Sequence, residues 1–199
     1  MAKSFITSDL HLGHKNIINF MPQSRGQFKT IDDMNEQIIM NINQIASSPD
    51  DTLYILGDIA FCSPKKACDF LSRIIARKVI VWGNHDRKLR HSSEFINRYE
   101  ELRIVFTADY VSKHIEFSDD VKYPIVLMHF PIWSFEGQGN GAVHLHGHNH
   151  STGANKYTFG RKQRVMDIGM DGNNLFPYDM EEVIHQLQFH EFCRADKHR

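Results

Sequence analysis

Val79-Ile80-Val81-Trp82-Gly83-Asn84-His85-Asp86 is the stretch whose reading decides the fold. Three β-branched residues and a tryptophan form an apolar run that reads as a buried strand. The run breaks at Gly83 and then presents an amide, an imidazole and a carboxylate in succession. In open α/β sheets the working surface lies outside the carboxyl ends of the strands. The rest of the chain is therefore read for what else arrives at strand ends.

Upstream, Leu53-Tyr54-Ile55-Leu56 is a second buried strand and ends in Gly57-Asp58. Ser63-Pro64 reads as an N-cap followed by proline at the first helical position. The helix it opens runs to about residue 76, with Phe70, Leu71, Ile74 and Ile75 inward. Strand, helix and strand then make a βαβ unit with parallel strands and a right-handed crossover. Near the start, a strand at residues 4–8 leads into Asp9-Leu10-His11. Residues two apart in extended backbone face the same way, so Asp9 and His11 can reach one metal together; an Asx-type turn with an incidental histidine is the alternative. His14 follows, as a substrate contact or a solvated loop residue. Ile31, Met34, Ile38, Ile42 and Ile45 repeat at helical steps, with Thr30 and Asp33 as a capping pair, and this helix is read as packing only.

Downstream, Arg87-Lys88-Leu89-Arg90-His91 is basic, either solvated or attracting an anionic substrate. Strands are expected at residues 103–107 and 110–117, then a turn at Ser118-Asp119-Asp120 into a strand at 124–128 that ends at His129. Gly137-Gln138-Gly139-Asn140-Gly141 reads as a mobile loop closing over the site. Val143-His144-Leu145-His146-Gly147-His148-Asn149-His150 is the second dense cluster. Each buried histidine needs a polar partner, so packing alone explains four alternating histidines poorly. His148 and His150 read as metal ligands, His146 as a supporting or substrate-facing group, and His144 as structural. A strand at 164–168 ends in Gly169-Met170-Asp171, residues 180–187 form a closing helix or strand, and the tail 194–199 is frayed.

The 199 residues suit one domain spanning 1–199. A formal net charge of -1 supplies no global attraction to nucleic acid or an anionic membrane, while thirteen histidines supply metal-binding and proton-transfer capacity. Three cysteines without zinc-type spacing argue against a disulfide framework, so a reducing, cytoplasmic setting is expected. No apolar run reaches the length of a membrane span, and the first residues lack a signal-peptide core.

The ordered set Asp9-x-His11, Gly57-Asp58, Gly83-Asn84-His85-Asp86, His129 and Gly147-His148-Asn149-His150 resembles the calcineurin-like metallophosphoesterase superfamily from the first strand to about residue 180. The likeness is to its compact single-domain bacterial and bacteriophage members. The resemblance implies a four-layer α/β/β/α sandwich with a binuclear site at one edge. It places Asp9, His11 and His150 on one metal, Asn84, His129 and His148 on the other, and Asp58 between them. His85 is then the catalytic general acid, with Asp86 beside it orienting the imidazole. Asp167-Ile168-Gly169-Met170-Asp171 is similar to the family's closing N-V-G-x-D stretch, with Asp167 in place of asparagine.

The implied reaction is hydrolysis of a phosphoester by in-line attack of a metal-bridging hydroxide. Two divalent ions are the expected cofactor; manganese leads, and iron, nickel or zinc also suit mixed imidazole and oxygen ligands. Small nucleotide-like phosphodiesters or phosphomonoesters are the expected substrates, with His14, His146, Arg87 and Asp171 as candidate contacts. A nuclease or phosphatase acting on single-stranded DNA or RNA ends is the alternative, with Arg87, Lys88 and Arg90 or Arg161, Lys162 and Arg164 as contacts. Duplex nucleic acid is not expected, because backbone binding draws on lysine and arginine in excess. A metal-dead interaction module on the same fold stands as the reading from another class.

Overall fold

A computed structural model gives the fold, described over residues 2–117, 121–158 and 163–192. The chain forms β1 (Ser4–Thr7), α1 (Ile17–Phe20), α2 (Pro22–Arg25), α3 (Ile31–Ile45), β2 (Thr52–Ile55), α4 (Pro64–Ser72), β3 (Arg77–Val81), α5 (Arg87–Arg90), α6 (Ser93–Ile96) and β4 (Ile104–Ala108). It continues through β5 (Tyr110–Glu116), β6 (Lys122–Met128), β7 (Val143–His146), β8 (Val165–Asp167), β9 (Tyr178–Asp179) and α7 (Met180–Gln188). Two sheets result, with strand orders β4-β3-β2-β1-β9 and β5-β6-β7-β8. In the first, β1 to β4 run parallel and β9 antiparallel. In the second, β6, β7 and β8 run parallel and β5 antiparallel to β6.

The strand alternation sorts the core into two clusters. Phe5, Leu53, Ile55, Ile80 and Trp82 pack against the helical residues Met34, Ile38, Ile42, Phe70 and Leu71. Their neighbours Ile6, Tyr54, Leu56, Val79 and Val81 face the second sheet, meeting Ile125, Leu127, Val143, Leu145 and Met166. Both faces of β2 and β3 are thus buried, which is why each reads as a continuous apolar run rather than an alternating one. α7 joins the inter-sheet cluster through Val183, Ile184 and Leu187. This mixed α/β architecture of two packed sheets and flanking helices is the fold class expected.

The caps act as read: Thr30 Oγ1 accepts the Asp33 N–H and Ser63 Oγ the Lys66 N–H. α4, however, ends at Ser72 rather than near residue 76, and Ile75, expected inward, is exposed. The reason lies on β3. The buried Lys78 Nζ donates to the carbonyls of Ile74, Ala76 and Leu102, drawing residues 74–76 into a turn. The expected turn at 118–120 and the tail 194–199 lie outside the described residues. No helix is long and apolar enough to cross a membrane among the described residues.

Candidate metal centre

The carboxyl ends of β1, β2, β3, β6 and β7 converge, and they bring two groups of donors together. Asp9, His11 and His150 form one, Asp58, His129 and His148 the other, with potential ligand atoms within 4.8 Å of one another in each. Extended backbone was the expected device for aiming residues two apart at one point, and the structure replaces it. Asp9 (φ 59°), His11 (φ 50°), Asp58 (φ 53°), His148 (φ 73°) and His150 (φ 50°) all adopt left-handed backbone. Each such residue costs roughly 1–3 kcal/mol and persists only where surroundings hold it. Here the two loops hold each other: Asp9 N–H donates to Gly57 O, His11 N–H to Asp58 O and Leu12 N–H to Ile59 O, at 3.0–3.1 Å. The arched backbone turns both side chains of each pair toward the same space.

Asp58 links the groups. Its Oδ2 lies 3.8 Å from His11 Nε2 and 3.5 Å from His129 Nε2, while Oδ1 accepts the His85 N–H at 3.0 Å. His129 Nδ1 donates to Leu56 O, which leaves Nε2 with its electron pair, 2.9 Å from Asn84 Oδ1. In the other group, His150 Nδ1 donates to Asp171 Oδ2 at 2.7 Å and directs Nε2 to a point 3.7 Å from Asp9 Oδ1. That Asp9 oxygen is buried without a hydrogen-bond partner. Ligand atoms therefore crowd one point, with His11 Nε2 and His150 Nε2 3.2 Å apart, an arrangement a cation satisfies. Burial raises the Asp9 carboxyl to about 7 and pushes the His11 imidazole far down, so His11 is held neutral, the form that ligates. The donor set of imidazole, carboxylate and amide oxygen fits a pair of divalent ions. Close approach also explains two glycines: a Cβ on Gly147 would lie 1.9 Å from Ser8 Oγ and 2.5 Å from Asp9 Oδ2, and one on Gly83 2.4 Å from Asp58 Oδ1.

Several expected roles are corrected. Asp86, expected to orient the His85 imidazole, is 1 % exposed, and its carboxylate accepts the N–H groups of Asp58, Ile59 and Gly83 at 2.8–2.9 Å. It staples the backbone of two loops. Asp171, expected at the substrate, is buried with both oxygens engaged by Arg25, Ser24 and His150. His146 is fully buried between Gly147 O and Thr158 Oγ1 and offers the substrate no surface. The His14 ring stacks on Phe61, with centroids 4.0 Å apart, and its Nδ1 is 3.3 Å from His11 Nδ1, so it stands behind His11. Burial first, then the charge of His85, lowers its pKa.

Arg87 is exposed beside Asn84 and His85. Arg90 pairs with Asp109, and Arg164 is taken up by Gly141 O, Gln188 and His190 O, so neither is a free nucleic-acid contact; Arg161 and Lys162 lie outside the described residues. The 137–141 segment is a short 3-10 turn packed against β5 and β6 near Ser112, His114 and Pro124, where the Arg164 guanidinium holds Gly141 O. His144 is structural, as expected, with Nδ1 on Val126 O and Nε2 accepting the Ile132 N–H.

Arg25 is the residue that the sequence reading missed. Fully buried, it donates through Nη2 to Asp9 O at 2.7 Å, through Nη1 to Leu10 O at 3.0 Å, and to both oxygens of Asp171. One guanidinium thus ties the Asp9–His11 loop to the carboxylate that orients His150. The available signal was an arginine continuing the Ile17, Met21 stripe at steps of four.

The family profile for calcineurin-like phosphoesterases matches residues 2–167. An uncharacterized protein of Methanocaldococcus jannaschii is 25% identical over 191 residues, covering 94% of this chain and 93% of its own length. The Gene 66 protein of Mycobacterium phage L5 is 26% identical over 176 residues, covering 76% of this chain and 79% of its own. Among solved structures, a protein of unknown function from Aquifex aeolicus superposes with a TM-score of 0.66 at 24% identity, covering 94% of this chain and 100% of that one, a likeness of fold. The profile match across most of the chain, on a structure that gathers two candidate metal-binding groups, leads to one conclusion: the chain belongs to the calcineurin-like phosphoesterase family and is a metal-dependent phosphoester hydrolase.

Proposed function

We propose that this chain hydrolyses small, nucleotide-like phosphoesters with a pair of divalent ions. In this reading Asp9, His11 and His150 hold one ion, Asn84, His129 and His148 the other, and Asp58 serves both. The observation that carries it is the position of Asp58 Oδ2 between His11 and His129, with Asp9 Oδ1 buried and unpartnered beside it. When bound, two dications supply water activation and neutralise the phosphoryl oxygens. Manganese is the ion proposed, on the carboxylate and amide oxygens of the donor set, while the imidazoles also suit iron, nickel or zinc.

The side chains supply the remainder. Arg25 and Asp171 fix the His150 ring, and the His129 ring is fixed by Leu56 O. His85 lies at the open edge with its side chain 46% exposed and Nε2 3.9 Å from Asp58 Oδ2, where an incoming ester meets it. There it donates a proton to the leaving oxygen, an effect typically worth ~10²–10⁴-fold. His14 accepts the proton of His11 Nδ1 and so presents Nε2 to the metal.

The test is a panel of cyclic nucleotides, dinucleotides, mononucleotides and aryl phosphates in manganese, run with the wild type and His85→Asn. His85→Asn is expected to keep its metal content and lose turnover by about 10²–10⁴-fold. Full turnover in a fully metallated His85→Asn protein refutes the role, and inactivity of the metallated wild type on every ester refutes the reading. Oligonucleotides added to the panel separate cleavage of single-stranded ends from that of small esters.

A further inference from the structure

Two cavities flank the candidate metal centre, and they differ in chemistry. One of about 360 Å³ lies on the His150 side, lined by Ser24, Thr152 and Asp171, with no lysine or arginine among its described lining residues. The other, of about 670 Å³, opens beside Asn84 and His85. Its wall includes Phe61, Pro64 and Leu89, and Arg87 and Lys88 also line it. That volume falls in the range of small-molecule pockets. The Phe61 ring is 4.5 Å from the His85 ring, so the apolar wall begins where the proposed proton donor stands.

The cations are the second observation. Arg87 and Lys88 are both exposed, and neither forms an ion pair among the described residues. On the same short helix, Arg90 is locked to Asp109. Two uncompensated positive charges therefore border a cavity with an apolar wall, and they do so on the His85 side.

We infer that this cavity receives the leaving group, and that it selects an alcohol with a flat apolar body and a second anionic group, the chemistry of a nucleotide. The inference rests on the proposed hydrolase activity and on His85 protonating the leaving oxygen. Whatever is attached to that oxygen continues past His85 into this space. In the reaction, water adds its oxygen to phosphorus and the bond from phosphorus to the leaving alcohol breaks. The proton on His85 passes to the departing oxygen, and the imidazole recovers one from water. Phe61 and Pro64 cover the apolar body while Arg87 and Lys88 meet the remote anion.

The experiment uses manganese-loaded full-length protein and two methyl phosphodiesters of thymidine, one carrying a further phosphate on the remote sugar hydroxyl. The expected products are methyl phosphate and the thymidine alcohol, and the phosphorylated substrate is expected to have a kcat/KM roughly tenfold higher. In the Arg87→Ala, Lys88→Ala double variant that ratio is expected to fall to near one. As a reading independent of turnover, thymidine monophosphate is expected to slow alkylation of Cys62, which lines the same cavity, as followed by peptide mass, whereas methyl phosphate leaves it unchanged. Preferential release of methanol, a ratio that the double variant does not move, or unprotected Cys62 overturns this inference alone. Absence of any hydrolysis overturns the hydrolase reading and this inference with it.

Discussion

Adjacent carboxylates in this protein differ by what their oxygens face, not by sequence context. Asp58 keeps one oxygen open to both donor groups, whereas Asp86 is closed by three backbone N–H groups. Asp86→Ala strands those donors in the interior, and each costs about 1–3 kcal/mol. Urea denaturation should therefore show a loss of at least ~3 kcal/mol. A variant of wild-type stability with only a shifted acidic limb in its pH–rate profile would restore the discarded orienting role. Asp171 acts through another residue, since its oxygen fixes the His150 ring and Arg25 fixes Asp171 in turn. Asp171→Asn keeps the shape but weakens the acceptor. Partners placed behind ligands are worth 10–100-fold in metal affinity. Titration of metal-free Asp171→Asn with manganese should show a loss of about that size with the far-UV spectrum unchanged, and unaltered affinity would reduce Asp171 to a packing role.

At the scale of elements, strand β3 does two jobs from opposite ends. Its carboxyl end delivers Asn84 and His85, and its first half carries Lys78, fully buried, tying the exit of α4 and the entry of β4 to the sheet. Three carbonyls match the three donors of an ammonium and offset part of its desolvation, yet burial still pushes the Lys78 pKa down to about 7. Between about pH 7 and 10 the unfolded chain holds that proton more firmly than the folded one. Stability contributed by this residue should therefore rise with pH through that window and be lower below it. Lys78→Met removes the dependence and orphans three carbonyls, each costing about 1–3 kcal/mol. Chemical denaturation of both proteins at pH 6.5 and 9 checks both statements; a wild-type-minus-variant difference that shrinks at the higher pH sinks the linkage. The β7 element teaches a related lesson. His144 and His146 alternate as the sequence suggests, but their rings are satisfied by backbone and Thr158, and only the residues after the strand reach the centre.

On the scale of the whole molecule, the donor groups exist because two sheets meet at one edge. Asp9, His11, Asp58 and Asn84 follow strands of the first sheet, and His129, His148 and His150 follow strands of the second. Ser8 and Gly169 bridge the sheets there. A cation that binds this edge bridges both sheets and stabilises only the folded chain, so manganese should raise the melting temperature and a chelator reverse it. At a hundredfold excess over Kd the gain is about 2.7 kcal/mol, measurable by calorimetry, and a melting temperature indifferent to metal would contradict a centre built across the sheets. Much of this was legible in advance. The parallel βαβ order and the helix caps follow from apolar period and capping residues, which are local signals. His148 and His150 stand out by their alternation, while Asp9, His11, Asp58, Asn84, His85 and His129 are assigned to the site by the resemblance of the ordered motifs to the family. The tertiary structure alone decided which of those residues converge, which carboxylate faces the donors, and that Arg25 reaches Asp171 across 146 residues of chain. Left-handed backbone at the ligands and the burial of charged groups depend on contacts between loops far apart in sequence, and no local pattern encodes a contact whose other half lies on the opposite sheet.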